Sequence, residues 1–367
     1  MQWGVTDMSI VYAEGFNRAR LGAIGIGNGI MGKACDIRVV TNASFPVSIV
    51  TRGSRRWITT PNPTFVQEQA QVSPSYLSVQ PWSPVVNEAA RATPGMPPYN
   101  QGGVGVGRVI VTWKVDATGQ ALLTGNSNYF CSIGSTVFSN SLPTTAAAAL
   151  PYIGKGYFPL ELEYNRNTRK GKLWCNGLLV NERDITGSDE IRLNLVGIRT
   201  IPGGVLKGGQ TWITDVVVVY DDGISPSRRI GDVTVAEVGL DQVTPTHPDV
   251  KTVGPSDVSD VGIDAGTPNI QITGDGTVDV YKVQEALPYL SAGKILAATV
   301  DINRQADSPI PGDLETKIET PLGSSVKLES PTTLNINLES TIRNFTKPIT
   351  VGALKADVKV KFTTKSR

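Results

Sequence analysis

The sequence is poor in the residues on which most enzymatic and metal sites depend. Of 367 residues, one is histidine, His247, and three are cysteine, Cys35, Cys131 and Cys175. His247 sits between Thr246 and Pro248 in a polar stretch, where a histidine is ordinarily just solvated. Serine-histidine, cysteine-histidine and histidine-metal chemistry therefore lack their usual base or ligand. The cysteines are odd in number and far apart, with no C-x-x-C pair, so they make neither a disulfide framework nor a zinc site. They read as free thiols of a protein assembled in a reducing cytoplasm, with one Cys–Cys pair left open should two strands meet.

Long apolar runs are also missing. No window nears the about eighteen apolar residues that a spanning helix needs, so no membrane insertion is expected. The N-terminal MQWGVTDMSIVYAEGF has neither a basic n-region nor a continuous apolar h-region and does not read as a signal peptide. Charge of one sign is lacking too: 34 Lys and Arg against 33 Asp and Glu leave a net charge of +1. That balance carries no basic stripe for nucleic acid. Helical patterning is scarce. Its best candidate, Val283 to Ala292, is interrupted by Pro288, and the alanines 146–149 lie between Pro143 and Pro151.

What is present is strand patterning punctuated by 38 Gly and 24 Pro. VIVTWKV (109–115), LELEY (160–164), IRLNLV (191–196) and WITDVVVVY (212–220) are strand-like, and the four-valine run implies burial on both faces or a central strand of a sandwich. In RKGKLWCNGLLVNE (169–182), two apolar runs flank Asn176-Gly177. Both residues tolerate the positive φ of a type I′ turn, so the stretch predicts a hairpin, with Trp174 giving apolar surface to one face of a sheet. Toward the C-terminus, Leu334, Ile336 and Leu338 alternate with polar residues, as do Ala356, Val358, Val360 and Phe362, the pattern of half-buried antiparallel strands. The stretch 243–267 is rich in Pro, Gly, Asp and Ser and reads as loop. The Pro-rich stretch 60–101 reads as extended excursions, an arm against a neighbouring subunit. The expected architecture is all-β, with a first domain over 1–238, a loop-rich linker over 239–270 and a smaller β-sandwich over 271–367.

Several clusters admit a functional and a plain reading. The glycine run Gly22-Ala23-Ile24-Gly25-Ile26-Gly27 has no helix after it, so it is a β-edge or turn and not a phosphate loop. Arg52, Arg55, Arg56 and Trp57 form the densest basic-aromatic cluster. It suits a sugar acid, a phosphate or a neighbour's acidic loop, and it also fits a solvated turn between strands. Arg166, Arg169, Lys170 and Lys172 are most simply an exposed turn. The acidic stretch 237–264 and the basic tail 355–367 could steer one subunit onto the next, or serve as solubilising surface.

The order of motifs carries a resemblance. A glycine-rich N-terminal run precedes several strands and the Trp174/Asn176-Gly177 hairpin. Then follow the strand Trp212-Ile213-Thr214-Asp215-Val216, the acidic turn Asp221-Asp222-Gly223, and Ile230-Gly231-Asp232-Val233-Thr234-Val235. This order is similar to the concanavalin A-like (laminin-G-like) jelly roll, and closer still to jelly-roll structural proteins of tailed bacteriophages, with the specific motifs falling in about residues 160–240. The resemblance implies a concanavalin A-like jelly-roll sandwich followed by a smaller β-sandwich. It further implies a non-enzymatic virion component at a tail, baseplate, fibre, collar or capsid-decoration position, made in the host bacterial cytoplasm. Expected partners are other virion proteins and copies of itself, as a trimer if fibre-like; no cofactor is expected. The alternative is a carbohydrate-binding receptor-recognition protein, which would present aromatics such as Trp57, Trp82 and Tyr99 to a host surface glycan. Calcium-holding lectin relatives converge carboxylates at a sheet rim, and the nearest candidates here are Asp221 and Asp222. Glycosidases of this fold align two glutamates and an aspartate on one strand. Glu161-Leu162-Glu163 matches only part of that pattern, and a plain strand with one polar face accounts for it.

Overall fold

A computed structural model of the chain describes residues 9–16, 22–24, 29–31, 35–40, 46–53, 55–60, 75–81, 107–116, 128–140, 157–200, 206–224, 226, 229–235, 240–242, 250–253, 269–272, 278–283, 294–304, 313–320, 323–329, 337–350 and 359–365. These residues are all-β, antiparallel throughout, with no helix among them. The chain divides into two compact units, the first ending at Val235 and the second beginning at Ala236, with 17–19 grouped with the second.

The first unit contains β1 (Ser9–Glu14), β2 (Gly22–Ile24), β3 (Gly29–Met31), β4 (Cys35–Val40), β5 (Val47–Arg52), β6 (Arg55–Thr59), β7 (Tyr76–Pro81), β8 (Arg108–Asp116) and β9 (Asn128–Ile133). It continues with β10 (Thr136–Asn140), β11 (Tyr157–Asn165), β12 (Lys170–Cys175), β13 (Leu178–Asp184), β14 (Ile191–Asn194), β15 (Val196–Thr200), β16 (Leu206–Gln210) and β17 (Trp212–Asp221). One sheet runs β13-β12-β11-β8-β17-β6-β5-β2, with β1 also on β17; the other runs β16-β15-β9-β14-β7-β4-β3, with β10 on β9.

The two sheets close face to face as a β-sandwich. Val109, Val111, Trp113 and Val115 of β8, Leu160 and Leu162 of β11, and Leu173 and Cys175 of β12 are buried from one sheet, and Leu77, Val79, Cys131, Ile133, Phe138, Ile191 and Leu193 from the other. Each such aliphatic or aromatic side chain contributes roughly 1.5–3 kcal/mol by leaving water. Gly171 of β12 marks how tightly the layers meet: a Cβ there would lie 2.5 Å from Phe138 Cζ and 2.8 Å from Ile185 Cδ1. The β12–β13 connection is the expected two-residue turn, with φ of 47° at Asn176 and 76° at Gly177.

β7 differs from expectation. Tyr76–Pro81 lies in the Pro-rich stretch read as an arm, yet it pairs with both β14 and β4 in the middle of its sheet. Its proline is the last residue of the strand, where a missing N–H costs little. The second unit contains β18 (Leu240–Gln242), β19 (Val250–Val253), β20 (Asn269–Ile272), β21 (Val278–Val283), β22 (Lys294–Arg304), β23 (Asp313–Thr320), β24 (Gly323–Glu329), β25 (Asn337–Thr350) and β26 (Lys359–Lys365). Its sheet runs β18-β21-β26-β23-β24, beside the separate ladders β19-β20 and β22-β25. Short strands thus fall within 239–270, because Leu240–Gln242 and Val250–Val253 find partners that their own sequence does not announce. Residues 284–292, the alanines 146–149 and His247 lie outside the described residues.

Candidate functional site

The site is built on the outer face of the nine-stranded sheet. Alternation sends Leu160 and Leu162 inward and leaves Pro159, Glu161 and Glu163 of β11 outward, in register with Lys114, Thr112 and Ile110 of β8. On the other side of β11, Glu161 pairs with Trp174 and Glu163 with Lys172 of β12. That face is not open to solvent. Thr112, Lys114, Glu161 and Glu163 are all at or below 6% exposure.

The cover is residues 229–235, which cross the face as a strap. The N–H groups of Ile230 and Gly231 donate to Glu161 Oε2 at 3.1 and 3.0 Å. Thr112 donates to the Gly231 carbonyl at 3.3 Å, and Lys114 Nζ donates to Thr234 Oγ1 at 2.7 Å. The Val235 N–H donates to Asp215 Oδ1 at 3.2 Å. The plain-strand reading of Glu161-Leu162-Glu163 is right about the strand, but the face is covered rather than solvated.

Beneath the strap lies a chain of ion pairs. Lys114 Nζ is 2.9 Å from Asp215 Oδ2 and 3.2 Å from Asp232 Oδ1, and Arg55 Nη1 is 2.6 Å from Asp215 Oδ2. Tyr157 donates to Asp232 Oδ2 at 3.2 Å. Asp215 has φ 52°, within the irregularity between Thr214 and Val217. There β17 exchanges β6, paired at Trp212 and Ile213, for β1, paired from Val216 onward. The break in the ladder turns a carboxylate toward the two cations, and aspartate tolerates the left-handed backbone better than most residues.

At the strap's beginning the cover is incomplete and leaves a cleft of about 210 Å³ lined by Pro159, Glu161, Trp174, Asn176, Arg229 and Asp232, among others. The Arg229 guanidinium stacks 4.0 Å from the centroid of the Trp174 ring and donates to the Gly177 carbonyl at 2.9 Å. Its Nε is 4.0 Å from Glu161 Oε1, an ionic contact too long for a hydrogen bond. Glu161 Oε1 and Trp174 Nε1 are buried without a hydrogen-bond partner. Burial pushes the Glu161 carboxyl above the ordinary carboxylate range; the Gly231 N–H, Arg229 and the Ile230 N–H oppose the rise, and Glu163 adds to it.

The residues singled out from the sequence fall elsewhere. Arg52 and Arg55 end the paired positions of the β5–β6 hairpin, and Arg56 is half-buried on β6. The Arg52 guanidinium lies 4.0 Å over the Trp212 ring, and burial lowers its pKa. Trp57 is 6% exposed and donates Nε1–H to the Arg52 carbonyl at 3.4 Å, so its ring is buried and not offered to a ligand. Trp82 and Tyr99 lie outside the described residues. Asp221 Oδ2 accepts from Arg108 Nε and Nη2 at 3.0 and 2.7 Å, and Asp222 Oδ1 accepts from the Ile224 N–H at 2.9 Å. A guanidinium thus fills the place of a cation beside Asp221. No group of three or more His, Cys, Asp or Glu among the described residues could hold a metal. The basic stretch before the hairpin is not simply an exposed turn: Arg166 is 3% exposed, and both it and Arg169 bind Asp189, which also accepts from the Tyr164 hydroxyl.

Sequence reasoning did not single out Lys114, Asp215, Arg229 or Asp232 as site residues, and it took Trp174 only as apolar surface of the hairpin. A signal for the first two exists, since a lysine inside VIVTWKV and an aspartate inside WITDVVVVY are charges in buried strands and require partners. No protein-family model matches the chain, and no curated protein does. Among solved structures, a crystal structure of an HCR/D mutant aligns over 96% of this chain and 94% of that one at 10% identity, with a TM-score of 0.25, which supports no argument about fold or function.

Proposed function

We propose that the chain is a non-enzymatic structural component of a bacteriophage virion, at a tail, baseplate, fibre, collar or capsid-decoration position. It assembles with copies of itself and with other virion proteins through contacts of its β-domains. The observation that carries this reading is the use made of charged side chains on the outer face of the nine-stranded sheet. Lys114, Asp215, Arg55 and Asp232 neutralise one another, and Arg108 is spent on Asp221. Glu161 holds the strap. Groups committed in this way lock a scaffold and are poorly free to exchange protons with a substrate. The order β11-β8-β17, which brings strands far apart in sequence side by side, agrees with a jelly roll of the concanavalin A-like kind. Exposed strand edges and faces of such units suit symmetric contacts.

Native mass spectrometry tests assembly: a homo-oligomer at micromolar concentration is expected, and a stable monomer refutes it. Cleavage of a bacterial surface polysaccharide that is lost in Glu163→Gln would refute the non-enzymatic half. A map of a phage particle containing density for this chain would locate it.

A further inference from the structure

We propose that Lys114 and Asp215 condense into an isopeptide bond that joins β8 to β17. Their ion pair is the reactant state: Nζ stands 2.9 Å from Asp215 Oδ2, and both side chains are 2% exposed. Lys114 is paired across the ladder with Thr214, so in an undisturbed strand the next residue, Asp215, would face the other side of the sheet. The irregularity after Thr214, with a φ of 52° at Asp215, brings its carboxylate round to Lys114 instead. Backbone held in such a sparsely populated region concentrates at functional positions.

The surroundings suit acyl transfer. Asp215 Oδ1 accepts the Val235 N–H at 3.2 Å, and Oδ2 accepts from Arg55 Nη1 at 2.6 Å. Donors on both oxygens draw electron density from Cγ and hold the charge of the tetrahedral centre that attack produces. Three acceptors stand around Nζ: Asp215 Oδ2, Asp232 Oδ1 at 3.2 Å and Thr234 Oγ1 at 2.7 Å. The Tyr157 ring lies 4.8 Å from Nζ, and its hydroxyl donates to Asp232 Oδ2 at 3.2 Å, which fixes Asp232 beside the amine. Asp232 is 28% exposed, so the site opens to solvent on its side.

In the reaction, Asp232 Oδ1 takes one proton from the ammonium, and the electron pair of the freed amine attacks Asp215 Cγ. The Nζ–Cγ bond forms. A second proton passes directly from Nζ to Oδ2, and Asp232 returns the first to the same oxygen. The Cγ–Oδ2 bond then breaks and water leaves past Asp232. One ammonium and one carboxylate become one neutral amide and one water, with no oxidant, reductant or cofactor. Holding the groups in contact supplies the proximity that the step needs, and the amide removes two charges from a place where burying them is costly. The other ion pairs lack these conditions. Arg108 on Asp221 is buried, but a guanidinium keeps its proton and is no nucleophile. Lys170 on Asp184 and Lys172 on Glu182 are 3.8 and 3.9 Å apart, with side chains at least 35% exposed.

The bond is internal to one chain, so the proposal stands independently of the assembly proposed above. Condensation follows folding, so a freshly folded chain still carries the ion pairs. The test holds the full chain at physiological temperature over days and reads its intact mass at intervals under denaturing conditions. The parent should lose the mass of one water, and digestion should release one branched peptide joining residues 114 and 215. Lys114→Arg and Asp215→Ala should keep their full mass. Asp232→Asn, with tryptophan emission unchanged, should form the bond about a hundredfold more slowly. A parent that keeps its full mass overturns the proposal. So does a water loss that persists in Lys114→Arg, a branched peptide carrying Asp232 in place of Asp215, or a rate indifferent to Asp232→Asn.

Discussion

Replacing Lys114 by methionine tests whether the ion pairs under the strap hold the first unit together. Methionine keeps most of the apolar stem and removes the charge. The loss is concrete: Nζ stands 2.9 Å from Asp215 Oδ2, 3.2 Å from Asp232 Oδ1 and 2.7 Å from Thr234 Oγ1, and the side chain is 2% exposed. Removing one partner of a buried pair costs roughly 3–5 kcal/mol when the other charge is stranded. Asp215 is not fully stranded, because Arg55 stays at 2.6 Å and the Val235 N–H at 3.2 Å. The cost should therefore fall near the low end, about 3 kcal/mol. All six tryptophans lie at or before residue 212, so tryptophan emission during urea unfolding reads the first unit alone. The midpoint should drop with the slope unchanged. In a cycle with Asp215→Asn the double variant should lose less than the sum of the singles, with a coupling of about 1–3 kcal/mol. A loss under about 1 kcal/mol, the worth of a surface pair, or strictly additive losses, would refute the reasoning.

Three further outcomes are expected. Gly171→Ala should destabilise the first unit by about 1–3 kcal/mol, because the new methyl meets Phe138, Ile185 and Ile133 at 2.5, 2.8 and 3.0 Å; an unchanged melting temperature would show that the sheets are less tightly closed than described. The two carboxyls Glu161 and Asp189 should tilt stability in opposite directions with pH. Glu161 has a raised folded pKa, so its contribution is full below the ordinary carboxylate value and is lost as pH rises through the folded value. For Asp189, burial pulls the pKa up, but Tyr164, Arg166 and Arg169 outweigh it, so its contribution is present above the ordinary value and is lost as pH falls through the lowered one. Urea midpoints across the acidic range should make Glu161→Gln gain on the parent as pH rises and Asp189→Asn fall behind it, and pH-independent differences would sink both assignments. Finally, Cys131 and Cys175 are free and buried, and burial pushes the Cys175 thiol up to about 12. A thiol reagent should modify at most one cysteine of the native chain and all three after denaturation; rapid loss of two native thiols would contradict this.

The strands with their own periodicity were legible from sequence, and so was the Asn176-Gly177 hairpin, because local backbone preference and side-chain alternation decide them. β7 was hidden since its six residues sit among prolines, and its place depends on pairing with β14 and β4. The covered polar face could not be read from LELEY. Whether Glu161 meets water or a strap depends on residues about seventy positions later. Arg229 and Trp174 likewise meet only once the strap has returned to the β12–β13 turn. The unusual residues inside buried strands, Lys114 and Asp215, were the one advance notice that something charged had to lie on top.

The strap ends at Val235, and the chain passes into the second unit at the next residue. Tension transmitted along the backbone from that side therefore reaches the first unit at a stretch fastened by side-chain hydrogen bonds rather than by a strand ladder. Counted back from that junction, the fastenings are the Val235 N–H on Asp215, then Thr234 on Lys114, then Gly231 and Ile230 on Glu161. Releasing them would free the strap without separating any strand of the sandwich from its ladder partners.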